Sequence, residues 1–440
     1  MKKLLLILLC LPMIGLGQGW EKLFGGTNDD YGYSVQQTND GGYILSGATY
    51  SYGSVMDKDV YLVKTDGNGD TTFTKTFGLS NVDERGWSVQ QTSDGGYVIA
   101  GNRGAFNSGD IFLIKTDGNG TEQWTRTYFN QGVTQAGTGR HVQQTTDGGY
   151  IITGYVDTNT MISNIRRPYV IKTDGNGIKQ WSKIIRATNY SYTSDWGEGF
   201  CVQQTTDGGY IITGYLGQSV LEIFLMKINA NGVEQWMRAD LEYSFLNINQ
   251  GFGQYVQQTS DGGYIISGTT ISTNFPNPEL AIAIKTDTFG IVEWGDYIFA
   301  TNEANSVQQT TDGGYIFAGY DKVGNSSNVS IVKTDANGTK QWFKSFGNAG
   351  NDIAYSIKQT TDGGYIITGV TSSFGNGSYD VYLIKTDGSG KVTSTFNIPI
   401  NPNRKLEKVF DVLGRETKKT NQPLIYIYDD GTVEKRIVIE

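Results

Sequence analysis

Val35-Gln36-Gln37-Thr38-Asn39-Asp40-Gly41-Gly42-Tyr43-Ile44-Leu45-Ser46-Gly47 reads as two short strands joined by a tight turn. Asp-Gly-Gly supplies residues that tolerate positive φ, and alternating apolar residues on either side are strand signals. The Asp-Gly-Gly-Tyr core recurs at Asp94, Asp147, Asp207, Asp261, Asp312 and Asp362, with gaps of 54, 53, 60, 54, 51 and 50 residues from Asp40 onward. Each copy carries Val-Gln-Gln-Thr before it, except the last, which has Ile357-Lys358-Gln359-Thr360. Seven copies at this period indicate a repeat architecture.

Working outward, a second apolar stretch follows each core after a variable gap. In the first copy it is Val60-Tyr61-Leu62-Val63-Lys64-Thr65, closed by the turn Asp66-Gly67-Asn68-Gly69. Its lysine is matched at Lys115, Lys172, Lys227, Lys285, Lys333 and Lys385. Four residues past the turn stands an aromatic, Phe73 and then Trp124, Trp181, Trp236, Trp294 and Trp342, which opens a last strand. Four strands per repeat, seven repeats and no sustained helical period predict an all-β chain, a seven-bladed β-propeller of four-stranded antiparallel blades. Trp20-Glu21-Lys22-Leu23-Phe24 matches the last strand of a repeat yet precedes the first one. In a closed ring it would complete the seventh blade, a place for which Val392 to Asn397 also competes.

Composition agrees. The 440 residues hold 59 Gly, only 7 Pro and 54 aromatics, enough apolar surface to fold. One His and two Cys leave little material for His-based acid/base chemistry, a Cys/His metal cluster or a disulfide scaffold. Met1-Lys2-Lys3, the apolar run Leu4 to Leu16 and Gly15-Leu16-Gly17 read as a signal peptide over residues 1–17, with the mature chain starting near Gln18. The run is 13 residues, short of the roughly 20 that span a bilayer. Cys10 lies inside it, so Cys201 is the one mature cysteine.

From about residue 399 the glycine-rich period stops. Residues 404–440 hold eight Lys/Arg and seven Asp/Glu, leaving 25 basic and 37 acidic residues in the region 18–398. Val409-Phe410-Asp411-Val412-Leu413-Gly414-Arg415, the strand Ile425-Tyr426-Ile427-Tyr428 and the terminal Gly431-Thr432-Val433-Glu434-Lys435-Arg436-Ile437-Val438-Ile439 form a small C-terminal β module. This tail resembles the C-terminal sorting domain of the Bacteroidetes type IX secretion system, though it is shorter than the usual domain. The resemblance implies export through the periplasm, recognition of the tail by the type IX machinery through Gly414, Arg415, Tyr426, Gly431 and Lys435, and a secreted or outer-membrane surface location. The repeats resemble the exported Asp-Gly-Gly-Tyr propeller repeats of such proteins, a class defined by architecture.

Candidate chemistry is sparse. Asp66-Gly67-Asn68-Gly69-Asp70 starts like a calcium loop, but position 70 becomes Thr121, Ile178, Val233, Ile291, Thr339 and Lys391, and no distal Glu recurs. A hairpin turn with the Asp capping its amides is the expectation, and no cofactor or metal site is assigned. His141 and Cys201 occupy one repeat position, where Ser34, Ser88, Tyr255, Ser306 and Ser356 stand elsewhere, and read as variants of a structural position. The second Gln of each copy reads as an internal hydrogen-bonding group of its blade. Function, if local, should lie where copies differ. The long connections, 184–200 and 238–254 above all, carry Tyr190, Tyr192, Asp195, Trp196, Glu198 and Tyr243, with Phe275 in 269–280. Aromatics among small polar groups suit recognition of a glycan or a protein.

The expectation is an exported, monomeric binding or adhesion module with no catalytic residue. Its acidic propeller makes nucleic acid an unsuited partner. The rivals are a secreted glycosidase or lyase, which needs paired carboxylates roughly 5–10 Å apart or an Arg cluster, and a purely structural surface protein. Loop carboxylates Asp83, Glu84, Asp195 and Glu198 are the available material for such a pair. Deleting residues 404–440 should leave the protein in the periplasm; normal arrival in the medium or at the surface, followed by immunoblotting of fractions, would remove the sorting assignment.

Overall fold

The computed structural model describes residues 19–53, 57–104, 109–128, 136–159, 164–186, 196–217, 221–239, 241, 250–271, 279–298 and 301–392, and in the tail 406–411, 424–428 and 433–436. The chain divides into two compact units between Ser394 and Thr395. The first is an all-β, seven-bladed propeller of four-stranded antiparallel sheets. In the first blade Asp30–Gln37, Tyr43–Thr49, Asp59–Thr65 and Thr71–Phe77 lie side by side in that order. Five further blades repeat this plan, starting at Glu84–Gln91, Gly137–Gln144, Gly197–Gln204, Gly251–Gln258 and Glu303–Gln309.

The seventh blade joins the two ends of this unit. Asp352–Gln359, Tyr365–Thr371 and Asp380–Thr386 supply three strands, and Trp20–Phe24 is the fourth, with Trp20 opposite Lys385 and Phe24 opposite Val381. The segment 393–397, which competed for this place, lies outside the described residues. The tail unit is a three-stranded antiparallel sheet of Leu406–Asp411, Leu424–Tyr428 and Val433–Arg436, with Leu424–Tyr428 in the middle.

Within a blade, the second and third strands are buried along their length, as in Tyr43–Thr49 and Asp59–Thr65. They are sandwiched between neighbouring blades, so they read as continuous apolar runs rather than alternating ones. The outer strand is the least buried of the four, Thr71–Phe77 being the most exposed case.

Two contacts repeated seven times hold the ring. In the first, the aromatic of each outer strand lies against the turn glycine and the Asp-Gly-Gly-Tyr tyrosine of the next blade. Trp124 packs on Gly177, where a Cβ would come within 2.8 Å of the indole, and its ring meets Tyr150 edge-on at 6.0 Å. Trp20, from the start of the chain, makes the same contact with Gly69 and Tyr43 of the first blade. In the second, the side-chain oxygen of the second Gln accepts the turn amide of the preceding blade. Asn39 donates to Gln91, Ser93 to Gln144, Thr146 to Gln204, Thr206 to Gln258, Ser260 to Gln309, Thr311 to Gln359 and Thr361 to Gln37, all at 2.8–2.9 Å. The sevenfold glutamine is therefore a link between blades, where the repeat suggested a bond internal to each.

The Asp-Gly-Gly turn also anchors a lysine. Lys64, Lys115, Lys172, Lys227, Lys285, Lys333 and Lys385 pair with Asp40, Asp94, Asp147, Asp207, Asp261, Asp312 and Asp362 at 2.8–3.0 Å. The first glycine takes positive φ, +82° at Gly41. The second admits no side chain, since a Cβ on Gly42 would lie 2.1 Å from the Thr65 carbonyl oxygen and 2.6 Å from Lys64 Nζ. Lys64 is 5% exposed and Asp40 63%, so the two partners are not equivalent. Removing the carboxylate strands a buried ammonium, a change that costs about 3–5 kcal/mol, whereas removing the lysine leaves a solvated carboxylate.

Three outcomes follow in urea unfolding. Asp40→Ala should destabilise clearly more than Lys64→Met; equal losses would contradict the asymmetry. Trp20→Ala should cost about 3–5 kcal/mol, as for other buried aromatics, and no change would mean the ring does not need its closing strand. Burial works against ionisation of Asp40, Asp94, Asp147, Asp207 and Asp261, but hydrogen bonds from the lysine, a threonine hydroxyl and a glycine amide outweigh it and bring each carboxyl to about 2. A folded pKa below the unfolded value of about 3.9 stabilises fully above that value and is lost on acidification toward 2. The urea midpoint should therefore fall between pH 4 and pH 2.

Candidate functional site

The innermost strand of every blade lines a central channel, which encloses a cavity of about 490 Å³. That volume lies within the roughly 300–1,000 Å³ of small-ligand pockets. Each innermost strand carries a register shift at one equivalent place: between Gly32 and Ser34, Gly86 and Ser88, Gly139 and His141, Gly199 and Cys201, Gly253 and Tyr255, Ala304 and Ser306, and Ala354 and Ser356. A bulge re-aims the extra residue. The residues so placed, Tyr33, Trp87, Arg140, Phe200, Gln254, Asn305 and Tyr355, all line the cavity. The residue before each is Gly or Ala and a Val-Gln-Gln or Ile-Lys-Gln stretch follows two residues on, while these seven differ almost completely. The strands enter from the face that carries the long connections, so this ring lies toward that mouth.

Around part of the ring, aromatic and guanidinium groups pack side by side. Tyr33 stacks on Trp87 with centroids 4.3 Å apart and meets Tyr355 edge-on at 5.5 Å. Arg140 lies 4.5 Å over the other ring of the series, Trp87, and 5.6 Å from Phe200, which neighbours Tyr215 at 5.7 Å. Trp87 Nε1 donates to Asn102 Oδ1 at 2.8 Å, fixing the indole. Behind the ring, Glu198 accepts from Arg140 at 3.0 Å, from Arg166, and from the Tyr215 hydroxyl at 3.4 Å. On the opposite wall Glu303 lines the cavity. Burial, reinforced by the negative Glu279 and opposed by a hydrogen bond with Asn305, pushes its carboxyl up to about 7.

One residue farther toward the tight-turn face, Tyr255 reaches across the channel. Its hydroxyl accepts from Lys358 Nζ at 2.6 Å and from Gln203 Nε2 at 3.4 Å, and its ring stands edge-on to His141 at 5.6 Å. Side chains of blades three, four, five and seven thus meet, forming a floor. The other occupants of this position bond the next blade: Ser34, Ser88, Ser306 and Ser356 accept the amides of Val89, Val142, Ile357 and Val35, and the Cys201 thiol donates to the Val256 carbonyl at 3.5 Å. Desolvation, helped by positive Lys358, pulls the His141 imidazole down to about 3. Desolvation pushes the Cys201 thiol up to about 12. Both groups are therefore uncharged at neutral pH.

Of the loop residues expected to face a ligand, Trp196 and Glu198 are described. Glu198 is 5% exposed on its side chain and engaged by two arginines, so it supports the ring from behind. Trp196 is half-buried, with Arg166 5.6 Å over its ring. Tyr190, Tyr192, Asp195, Tyr243 and Phe275 lie outside the described residues, as do Gly414, Arg415 and Gly431; Tyr426 and Lys435 fall on tail strands. The repeat-turn aspartate is the expected cap: Asp66 Oδ1 accepts from the amides of Asn68 and Asp70 at 2.9 Å. Among the described residues no three His, Cys, Asp or Glu side chains gather as a metal site. The ring itself escaped the sequence reading, although the rule that function lies where copies differ, applied to the innermost strand, marks the residue two before each Val-Gln-Gln-Thr.

No protein-family model matches the chain, and no curated protein matches it. Its fold is similar to those of proteins of unknown function from Bacteroides caccae (9% identity, 72% of this chain and 94% of that one, TM-score 0.39) and Dyadobacter fermentans (11%, 74% and 96%, TM-score 0.45). It is also similar to Sqt1 from Chaetomium thermophilum (10%, 95% and 100%, TM-score 0.47).

If Tyr255 and Lys358 form the floor, Tyr255→Ser should preserve folding and enlarge the channel. Accessibility of Cys201 to a thiol reagent in the folded protein, measured as a labelling rate, should stay low, because that thiol is held by the next blade; rapid labelling would contradict the geometry.

Proposed function

We propose that the protein is an exported binding module that takes a glycan or protein ligand at the long-connection mouth of the propeller channel, without turning it over. The supporting observation is the ring of bulges: seven equivalent backbone positions present Tyr33, Trp87, Arg140, Phe200, Gln254, Asn305 and Tyr355 to one cavity. A scaffold that repeats its turn and blade-linking residues faithfully while this ring varies separates folding from recognition. The tail's resemblance to a sorting domain supports delivery to the surface or medium through the type IX machinery.

The rival reading as a glycosidase rests on Glu303, a cavity carboxyl held near neutral, with Glu279 as a neighbouring carboxylate. Glu279 is engaged by Lys322 at 3.0 Å and by the Tyr320 hydroxyl at 3.1 Å, which favours a supporting part over a nucleophile's.

Glycan and surface-protein arrays should give binding that falls tenfold or more in Trp87→Ala, while Lys340→Ala on an outer strand leaves it unchanged. Polysaccharide hydrolysis assays on the same preparation should stay silent. Turnover lost in Glu303→Gln would replace this reading with the enzymatic one, and absence of any ligand would favour a structural protein.

A further inference from the structure

We infer that the channel mouth selects an uncharged polyhydroxylated ligand, the end of a neutral glycan, and that Glu198 is the residue that keeps acidic glycans out. This rests on the channel mouth being the ligand site. Besides the buried Arg140 Nε and His141 Nδ1, which lack partners, the cavity lining offers polar groups with no protein partner among the described residues in the Tyr33 and Tyr355 hydroxyls and the Gln254 amide. Each can both donate and accept, as a sugar hydroxyl does. Such a set pairs with hydroxyls in either sense, whereas a carboxylate offers acceptors alone.

The guanidinium charge of the bulge ring is already paired with a carboxylate. Arg140 is the one basic side chain in the bulge ring, and Glu198 holds it at 3.0 Å while also holding Arg166. Asp157 adds a second carboxylate on Arg166, at 3.4 Å. Arg140 is further covered by Trp87 on one side, with Phe200 and Tyr155 close by. Lys358 lies on the floor, bonded to the Tyr255 hydroxyl and 4.4 Å from its ring. Glu303 adds a carboxyl to the wall, and the region 18–398 carries 37 acidic residues against 25 basic. The net negative charge of this region slows approach of like charge. Glu198 acts through Arg140 and Arg166, so it is a positioning residue whose removal should change which ligands are preferred.

The purified protein would be titrated calorimetrically with hexasaccharides of cellulose, mannan, xylan and chitin, and with oligogalacturonate and oligoalginate. At least one neutral series should bind tenfold or more above either acidic one. The double variant Tyr33→Phe/Tyr355→Phe should lose tenfold or more with an unchanged melting temperature. Glu198→Gln should shift the neutral-to-acidic ratio tenfold toward the acid, and Glu198→Gln/Arg166→Met, which removes the second buried cation, tests this if the single variant unfolds. Acidic oligosaccharides bound as well as neutral ones by the wild type, yet lost in the tyrosine variant, would overturn the charge selection while leaving the channel site standing. Binding insensitive to both tyrosines would overturn the site itself, and a ratio unmoved in a folded Glu198 variant would overturn the assignment of Glu198.

Discussion

The contact on which the propeller depends is an aromatic ring laid across a turn glycine of the neighbouring blade. An indole buries a large apolar face there only because the glycine has no side chain to hold it off. Gly69, Gly120, Gly177, Gly232, Gly290, Gly338 and Gly390 each face such a ring, from Trp20, Phe73, Trp124, Trp181, Trp236, Trp294 and Trp342 in turn. Since each blade packs on the next, the series has no natural end until it closes. Closure explains why the strand Trp20–Phe24 stands apart from its repeat: it joins the two ends of the propeller in the seventh blade and pairs the outward side of Asp380–Thr386.

A ring held by these contacts, the glutamine links and the lysine pairs leaves few positions free to vary. Most of the innermost strand is committed to neighbouring blades through Ser34 and its equivalents and through both glutamines. The bulge residue steps out of register, and only Arg140 and Asn305 of the seven hydrogen-bond the next blade among the described residues. Diversity collects there for a physical reason, which is what the proposed recognition surface would need.

How much of this was legible depended on the kind of signal. The blade plan was readable because turn chemistry and strand composition are local, and seven copies averaged out their noise. The orphan Trp20 strand was readable because it matched a pattern elsewhere. The lysine at position 64 was visible as a repeated residue, but its partner Asp40 lies 24 residues away, and sequence spacing alone did not pair them. The bulge ring was obscured for another reason: strict alternation assigns neighbouring residues to opposite faces, and an inserted residue at Tyr33 breaks that rule in a way composition does not announce. Attention to variable loops instead picked out Trp196 and Glu198 with five others, and of these Glu198 stands behind the bulge ring.

The proposal that recognition happens at the channel mouth, on a scaffold whose other positions serve closure, can be examined without knowing the ligand in detail. Hydrogen–deuterium exchange of the protein with and without a bound oligosaccharide reads out each innermost strand separately. Slowed exchange confined to peptides around residues 31–34, 85–88 and 353–356, with the tight turns at 38–42 and 66–70 unaffected, is the predicted pattern. Slowed exchange on the outer strands or the tight-turn face, with the innermost strands unchanged, would contradict the account.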